Sequence, residues 1–167
     1  MNFKCYDVVE IQGKRYVVTE VISYQEFIIE KTVNYTLNDE MYNNELGTHK
    51  GAKNWTEYGL MPVDGEDKKW LTIINGEKDY CTFSETILRS TPPKGYKLYD
   101  KGLQRVMSVK GESKARSGDK ADYKEYRTIK KDKTNVFFIE DWHGGLTDQA
   151  QGERIRLSDV HRRRDQA

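Results

Sequence analysis

The residues best equipped for chemistry lie in two short stretches. Trp55-Thr56-Glu57-Tyr58 and Tyr123-Lys124-Glu125-Tyr126 each set an aromatic side chain two positions before a glutamate. On an extended strand such residues point the same way, so Trp55 shares a face with Glu57, and Tyr123 with Glu125. An aromatic platform beside a carboxylate suits a cationic or hydrogen-bonding ligand. The competing role for Glu57 is structural: a partly buried carboxylate accepting backbone N–H groups where strands cross. The structural role is the favoured one, because buried polar groups normally find protein partners. A third role pairs Glu57 with Glu125 as a carboxylate-based enzyme, which needs a fixed separation and staggered pKa values. The ligand-binding candidates are therefore Trp55, Glu57, Tyr123 and Glu125, and no residue is assigned a catalytic role.

Other chemistries lack their residues. His49, His143 and His161 are scattered, whereas a metal site needs three or four converging ligands. No Gly-rich phosphate loop is present, and no motif places a base near Ser84 or Ser158. Neither metal nor cofactor is expected. Cys5 and Cys81 stand 76 positions apart without a Cys-x-x-Cys pair, and read as buried free thiols.

Charge narrows the partners. Lys and Arg total 28 against 27 Asp and Glu, a net +1, which argues against an obligate nucleic-acid coat or a polybasic membrane anchor. The segment Lys101–Lys133 nevertheless carries eleven basic and five acidic residues. A solvated face is the ordinary account of such a run; the sharper one is weak nucleic-acid binding by that face. No RNA-binding aromatic pattern accompanies it. The first residues lack the apolar stretch of a signal peptide, and no apolar run approaches the roughly 20 residues of a membrane helix. The expectation is a cytoplasmic protein, away from membranes, whose partner is a protein or a small ligand.

The elements that position these residues are strands. Val, Ile and Tyr number 11, 10 and 11, against 14 for Leu and Ala together, and branched or aromatic side chains suit a pleated, half-buried surface. Three Pro and 13 Gly imply glycine turns, of which Asp64-Gly65 and Asn75-Gly76 are the clearest. Period-2 patterning marks strands at Val8–Ile11, Tyr16–Tyr24, Phe27–Leu37, Trp55–Met61, Trp70–Ile74 and Tyr80–Phe83. Beyond Thr91-Pro92-Pro93 it marks Tyr96–Tyr99, Leu103–Val109, Tyr123–Ile129, Val136–Asp141 and Arg154–Asp159. Asn38–Asn54 reads as an exposed loop and His161–Ala167 as a solvated tail. Helix is confined to a turn, near Ser84–Arg89 or in the Asn38–Asn54 loop.

The two sides of the Pro92-Pro93 linker resemble each other. Glu57 to Trp70 spans 13 positions, as does Glu125 to Phe138, and Glu57 to Gly76 spans 19, as does Glu125 to Gly144. Such spacing predicts one supersecondary unit used twice. The organisation expected is a first repeat over 6–90 with an insertion at 25–54, a second over 95–162, and a basic tail at 163–167, all in one compact unit. The fold expected is all-β, two related antiparallel meanders packed as a barrel or sandwich.

Trp55-Thr56-Glu57-Tyr58 with Leu60, then Trp70-Leu71, Asp122-Tyr123, Glu140 and a closing Ser158-Asp159-Val160 carry a family likeness. Over about Val8 to Val160 the chain resembles the bacterial domain-of-unknown-function family 4178. Phe138-Ile139 departs from the small polar residue more usual there. The resemblance implies a compact bacterial β domain and assigns no activity. The function expected is a non-catalytic binding or accessory module.

Overall fold

The computed structural model describes residues 2–27 and 53–163. Its strands are β1 (Val8–Ile11), β2 (Lys14–Phe27), β3 (Asn54–Pro62), β4 (Lys69–Ile74), β5 (Tyr80–Ile87), β6 (Lys97–Gly111), β7 (Lys120–Lys130), β8 (Lys133–Trp142), β9 (Thr147–Arg156) and β10 (Val160–Arg163). A single 3-10 turn, Leu157–Asp159, is the only helical element among the described residues. No helix in them is long and apolar enough to cross a membrane.

Two antiparallel meanders, β2-β3-β4-β5 and β6-β7-β8-β9, join edge to edge through β5–β9 and β2–β6. Eight strands thus close into an antiparallel barrel, which leaves no edge on either meander. β1 and β10 lie outside this ring: β1 pairs with the start of β2, and β10 with β1. One edge of β2 therefore serves two neighbours, β1 over Lys14–Val17 and β6 over Glu20–Phe27. A register shift between Val18 and Glu20 marks the changeover, because an extra residue in one strand bends it and swings its later side chains to another face.

That bend gives the molecule two interiors. Tyr16 and Val18 on β2, Tyr58 and Leu60 on β3, Leu71 and Ile73 on β4, and Cys81 and Phe83 on β5 form one apolar cluster with Phe3, Val9, Ile11, Ile155, Leu157 and Val160. The alternate residues, Trp55 and Glu57, Trp70 and Thr72, Thr82 and Ser84, face the barrel lumen instead. β1 and β10 thus lie over the outer face of the first meander and bury its apolar side chains, while the lumen combines a smaller apolar cluster around Ile22, Tyr24 and Val106 with polar and charged groups.

Several expected elements are redrawn. Tyr96–Tyr99 and Leu103–Val109 belong to one long strand, β6, whose register shifts between Leu98 and Asp100; the bulge interrupts the period that separated them. The turn of helix expected near Ser84–Arg89 is the end of β5, held by eight pairings to β9. β9 begins at Thr147 rather than Arg154, and the tail expected from His161 starts as a strand, since His161, Arg162 and Arg163 pair with Glu10, Val9 and Val8. Of the strand expected over Phe27–Leu37 and the loop over Asn38–Asn54, Phe27 ends β2 and Asn54 begins β3, and residues 28–52 lie outside the described residues. Equal spacing in the two halves would set Glu125 opposite Glu140, as Glu57 is opposite Thr72, but Glu125 faces Phe138. The halves differ by two residues in register because β7 and β8 are joined by a tight turn, Lys131 and Asp132 both at positive φ, whereas β3 and β4 are joined by a longer one.

Candidate functional site

The barrel encloses a cavity of about 1100 Å³, at the upper end of the roughly 300–1000 Å³ common for small-molecule sites. Eight-stranded barrels of this kind either fill their interior with side chains or keep room for one ligand. Here the contents are aromatic and charged. Trp55, Trp70 and Trp142, the three tryptophans of the chain, all line it, together with Tyr24 and Tyr123. Tyr24 and Trp55 stack at 5.6 Å between centroids, Trp142 tilts against Tyr24 at 6.5 Å, and Tyr123 meets Trp55 edge-on at 5.7 Å. These four rings, from β2, β3, β7 and β8, form one continuous aromatic wall.

Charged groups around that wall fall into two kinds. Some are matched by a cation. Lys68 Nζ pairs with Glu20, a residue only 2% exposed, and Gly59 makes this arrangement fit. A Cβ there would sit 2.5 Å from Glu20 Cγ. Lys53 pairs with Asp100, whose carboxylate also accepts from Tyr123 Oη at 3.3 Å. Tyr123 Oη donates to Glu26 as well, and Gly102 leaves the space, its Cβ position lying 3.1 Å from both groups. Burial, followed by the Glu26 hydrogen bond and charge, raises the Tyr123 phenol far out of the titrating range. Glu125 is paired to Arg127, and Arg154 to Glu77.

The other kind has neutral partners alone. Glu57 Oε1 accepts from Tyr24 Oη at 3.3 Å, and Glu140 Oε2 accepts from the Gln104 side-chain amide. β3 and β8 stand on opposite sides of the eight-strand ring, so these two carboxylates project toward each other across the lumen. Burial first, then the Glu140 charge, pushes Glu57 well above the usual carboxylate range. Burial, with the Asp148 charge adding, raises Glu140 to about 7. The Tyr24 phenol is raised too, by burial and by Glu57 beside it.

All four candidates, Trp55, Glu57, Tyr123 and Glu125, line this one cavity. Their partnerships differ from expectation in two respects. Glu57 accepts no backbone N–H among the described residues; its hydrogen bond comes from the Tyr24 phenol. The carboxylate that Glu57 feels most is Glu140 rather than Glu125, because Glu125 is held by Arg127 and stands in register with Phe138. Glu20, Tyr24, Trp70, Gln104, Glu140 and Trp142 escaped the sequence reading. A signal for some of them was present: Trp70 with Thr72, and Glu140 with Trp142, repeat the aromatic–polar alternation of Trp55 with Glu57.

The remaining chemistry is sparse. Cys5 and Cys81 are both free thiols, and burial pushes the Cys81 thiol up to about 12, which keeps it protonated and unreactive. Among the described residues no group of three His, Cys, Asp or Glu is arranged to hold a metal ion. The basic segment Lys101–Lys133 runs along β6 and β7, where Lys101, Lys110, Lys124 and Lys130 are exposed while Arg127 turns inward to Glu125.

Against known proteins, a family model described as Domain of unknown function (DUF4178) matches residues 5–157. No curated protein and no solved structure matches the chain. The match covers nearly the whole chain, and the chain belongs to that family.

Proposed function

We propose that this member of the DUF4178 family is a non-catalytic binding protein that holds a small ligand in its barrel lumen. The observation that carries this reading is the cavity itself: about 1100 Å³ left open inside the eight-strand ring and lined by all three tryptophans. The apolar cluster on the other side of β3–β5 closes over fully buried Leu60, Leu71 and Cys81. On the lumen side the same strands present Trp, Thr, Ser and Glu, a lining that gives contact area and direction to a polar ligand. Trp55, Glu57, Tyr123 and Glu125 belong to the binding surface in this reading, joined by Tyr24, Gln104, Glu140 and Trp142.

Because every tryptophan lines the lumen, emission reports occupancy directly. Titrating the purified protein against a library of small metabolites is expected to yield a ligand that changes tryptophan emission and raises Tm, with binding weakened in Trp55→Ala. A ligand that leaves emission unchanged and binds Trp55→Ala and Trp70→Ala as well as the native protein overturns the reading. A second reading, proton transfer by a carboxylate pair, is favoured by one observation: two carboxyls share the lumen, Glu57 raised well above the usual carboxylate range by burial and Glu140 raised to about 7, as acid–base catalysis requires. Recovery of the bound ligand chemically unchanged after prolonged incubation decides for binding, and its conversion decides for catalysis.

A further inference from the structure

Within the lumen a recurring grouping appears, a carboxylate and an aromatic ring with a cation between them. Lys68 Nζ stands 4.4 Å from the centre of the Trp70 ring while paired to Glu20. Lys53 Nζ stands 6.0 Å from the centre of the Tyr123 ring while paired to Asp100. A third grouping has the same parts except the cation. Glu57 and Glu140 face each other beside the stacked Tyr24 and Trp55 and the tilted Trp142, and the partners of both carboxylates are neutral, a phenol and an amide.

Resting on the lumen-binding reading above, we infer that the ligand is an organic ammonium ion, seated between Glu57 and Glu140 against Tyr24, Trp55 and Trp142.

The physical reasons are independent of one another. Two carboxylates in a shared low-dielectric space repel, and a cation between them removes that cost. Ring faces attract ammonium groups most strongly where water is excluded. Burial and that repulsion favour the neutral acid at Glu57 and Glu140. A neutral sugar or alcohol leaves the carboxyls protonated, an anion opposes their ionisation, and a cation alone gains from it. The groups that act on the acid pair are Tyr24 and Glu20 from β2, Lys68 ahead of β4, Gln104 from β6 and Asp148 from β9. The same cavity is lined by Lys53 ahead of β3, Glu112 and Asp119 between β6 and β7, Tyr123, Glu125 and Arg127 from β7, His143 after β8 and Arg154 from β9. Lys68, Arg127 and Arg154 among them are committed to Glu20, Glu125 and Glu77. Lys114, from the β6–β7 connection, also lines the cavity, and it forms no ion pair with either glutamate.

Proton release follows from the same geometry. A carboxyl held protonated in the empty lumen must ionise to receive an ammonium group, so binding expels a proton in the range where Glu140, at about 7, titrates. Affinity should therefore rise with pH between 6 and 8, by up to about tenfold per pH unit for each carboxyl that must ionise.

The test titrates the native protein with n-butylammonium, 1,4-diaminobutane and choline. It also uses the uncharged choline analogue 3,3-dimethylbutan-1-ol and the anion 3,3-dimethylbutyrate, reading tryptophan emission and calorimetric heat in phosphate and in HEPES, whose sulfonate keeps it from competing as a cation. At least one cation should bind about tenfold or more tightly than the alcohol, with a heat that depends on buffer because a proton is released. Glu57→Gln and Glu140→Gln should each reduce cation affinity about tenfold and leave the alcohol unaffected. Circular dichroism confirms that both isosteric variants are folded. Equal binding of choline and the alcohol, or unchanged cation affinity in both variants, overturns the inference. If the alcohol or the anion perturbs emission and no cation does, the ammonium assignment falls while lumen binding stands. If neither this panel nor the metabolite library perturbs emission, both fall.

Discussion

The two interiors of this protein are built from opposite faces of the same three strands. Along β4, Leu71 and Ile73 enter the apolar cluster and Trp70, Thr72 and Ile74 enter the lumen. β3 and β5 divide in the same way, Tyr58 and Leu60 against Trp55 and Glu57, Cys81 and Phe83 against Thr82 and Ser84. The apolar side is closed: Leu60, Leu71, Val9, Val18 and Cys81 have no exposed surface. The lumen side keeps its space and gathers charge. Stability thus resides mainly in the cluster under β1 and β10, where burial of hydrocarbon is complete. The lumen, relieved of that duty, tolerates carboxylates whose charged forms the fold disfavours. Such division of labour lets one thin barrel wall carry both a core and a site.

The comparison breaks most visibly in the apolar cluster. Leu71→Ala removes a fully buried side chain and leaves a cavity among packed neighbours. The expected loss is about 3 kcal/mol, within the usual range for such truncations, or roughly 10 °C in Tm for a domain of this size. Thermal unfolding checks it, and tryptophan emission of the folded protein should change little because the lumen wall is intact.

Next in size is a gain rather than a loss. Glu140 is held at about 7 when folded, against 4.5 for an ordinary solvated glutamate, so the folded state binds its proton more tightly than the unfolded chain does. Stability from this group is complete below pH 4.5 and is lost as pH rises through 7. Glu140→Gln removes that loss while preserving an acceptor for the Gln104 amide. At pH 8 the variant should be more stable than the native protein by about 3 kcal/mol, and at pH 4 the difference should vanish. Urea unfolding at the two pH values measures it. A carboxylate serving the fold would show the opposite sign at pH 8.

Gly59 links the two faces. It lies on β3 where Glu20 crosses, and a Cβ added there would stand 2.5 Å from Glu20 Cγ and 2.8 Å from its Oε1. Gly59→Ala must displace the Glu20 side chain, and with it the pairing to Lys68. A destabilisation of about 1 kcal/mol is expected, at the low end for overpacking because a side chain rather than backbone gives way. Lys68→Met in the same background should cost less than it does alone, since the displaced carboxylate no longer depends on that ammonium; a double-mutant cycle reads the coupling.

These contrasts also explain how far the sequence could be read. Strands whose outer face is apolar announced themselves, Val8–Ile11 to the residue, because period-2 alternation is what a half-buried strand requires. β9 did not. Its lumen face carries Asp148, Ala150 and Arg154, and its pairing with β5 needs Gly152, where a Cβ would stand 2.1 Å from the Phe83 carbonyl. With Ile155 its one large apolar residue, the strand shows no hydrophobic period. Closure of the ring through β2–β6 and β5–β9 is likewise invisible in local pattern, since within the ring these are the pairings most distant in sequence. The alternation Trp55, Glu57 was legible as a face, but an inward polar face and an outward one have the same sequence pattern. Only ring closure turns one into a lumen, and only ring closure brings Glu140 rather than Glu125 opposite Glu57.

The smallest expected effect is the sharpest test of the division. Thr72 follows Leu71 directly, pairs with Glu57 across β3 and with Thr82 across β5, and points into the lumen. If the lumen contributes little to stability, Thr72→Ala removes a hydroxyl and a methyl beside open space, leaving no packed void and no buried donor unmet. Its effect should stay within about 0.5 kcal/mol, the scale of substitutions away from tightly packed features, in contrast to the loss at the neighbouring position. Parallel urea titrations of Leu71→Ala and Thr72→Ala measure the ratio. Comparable losses at the two positions would mean that the lumen is packed as tightly as the cluster under β1 and β10. There would then be no room between Glu57 and Glu140 for a ligand of any charge.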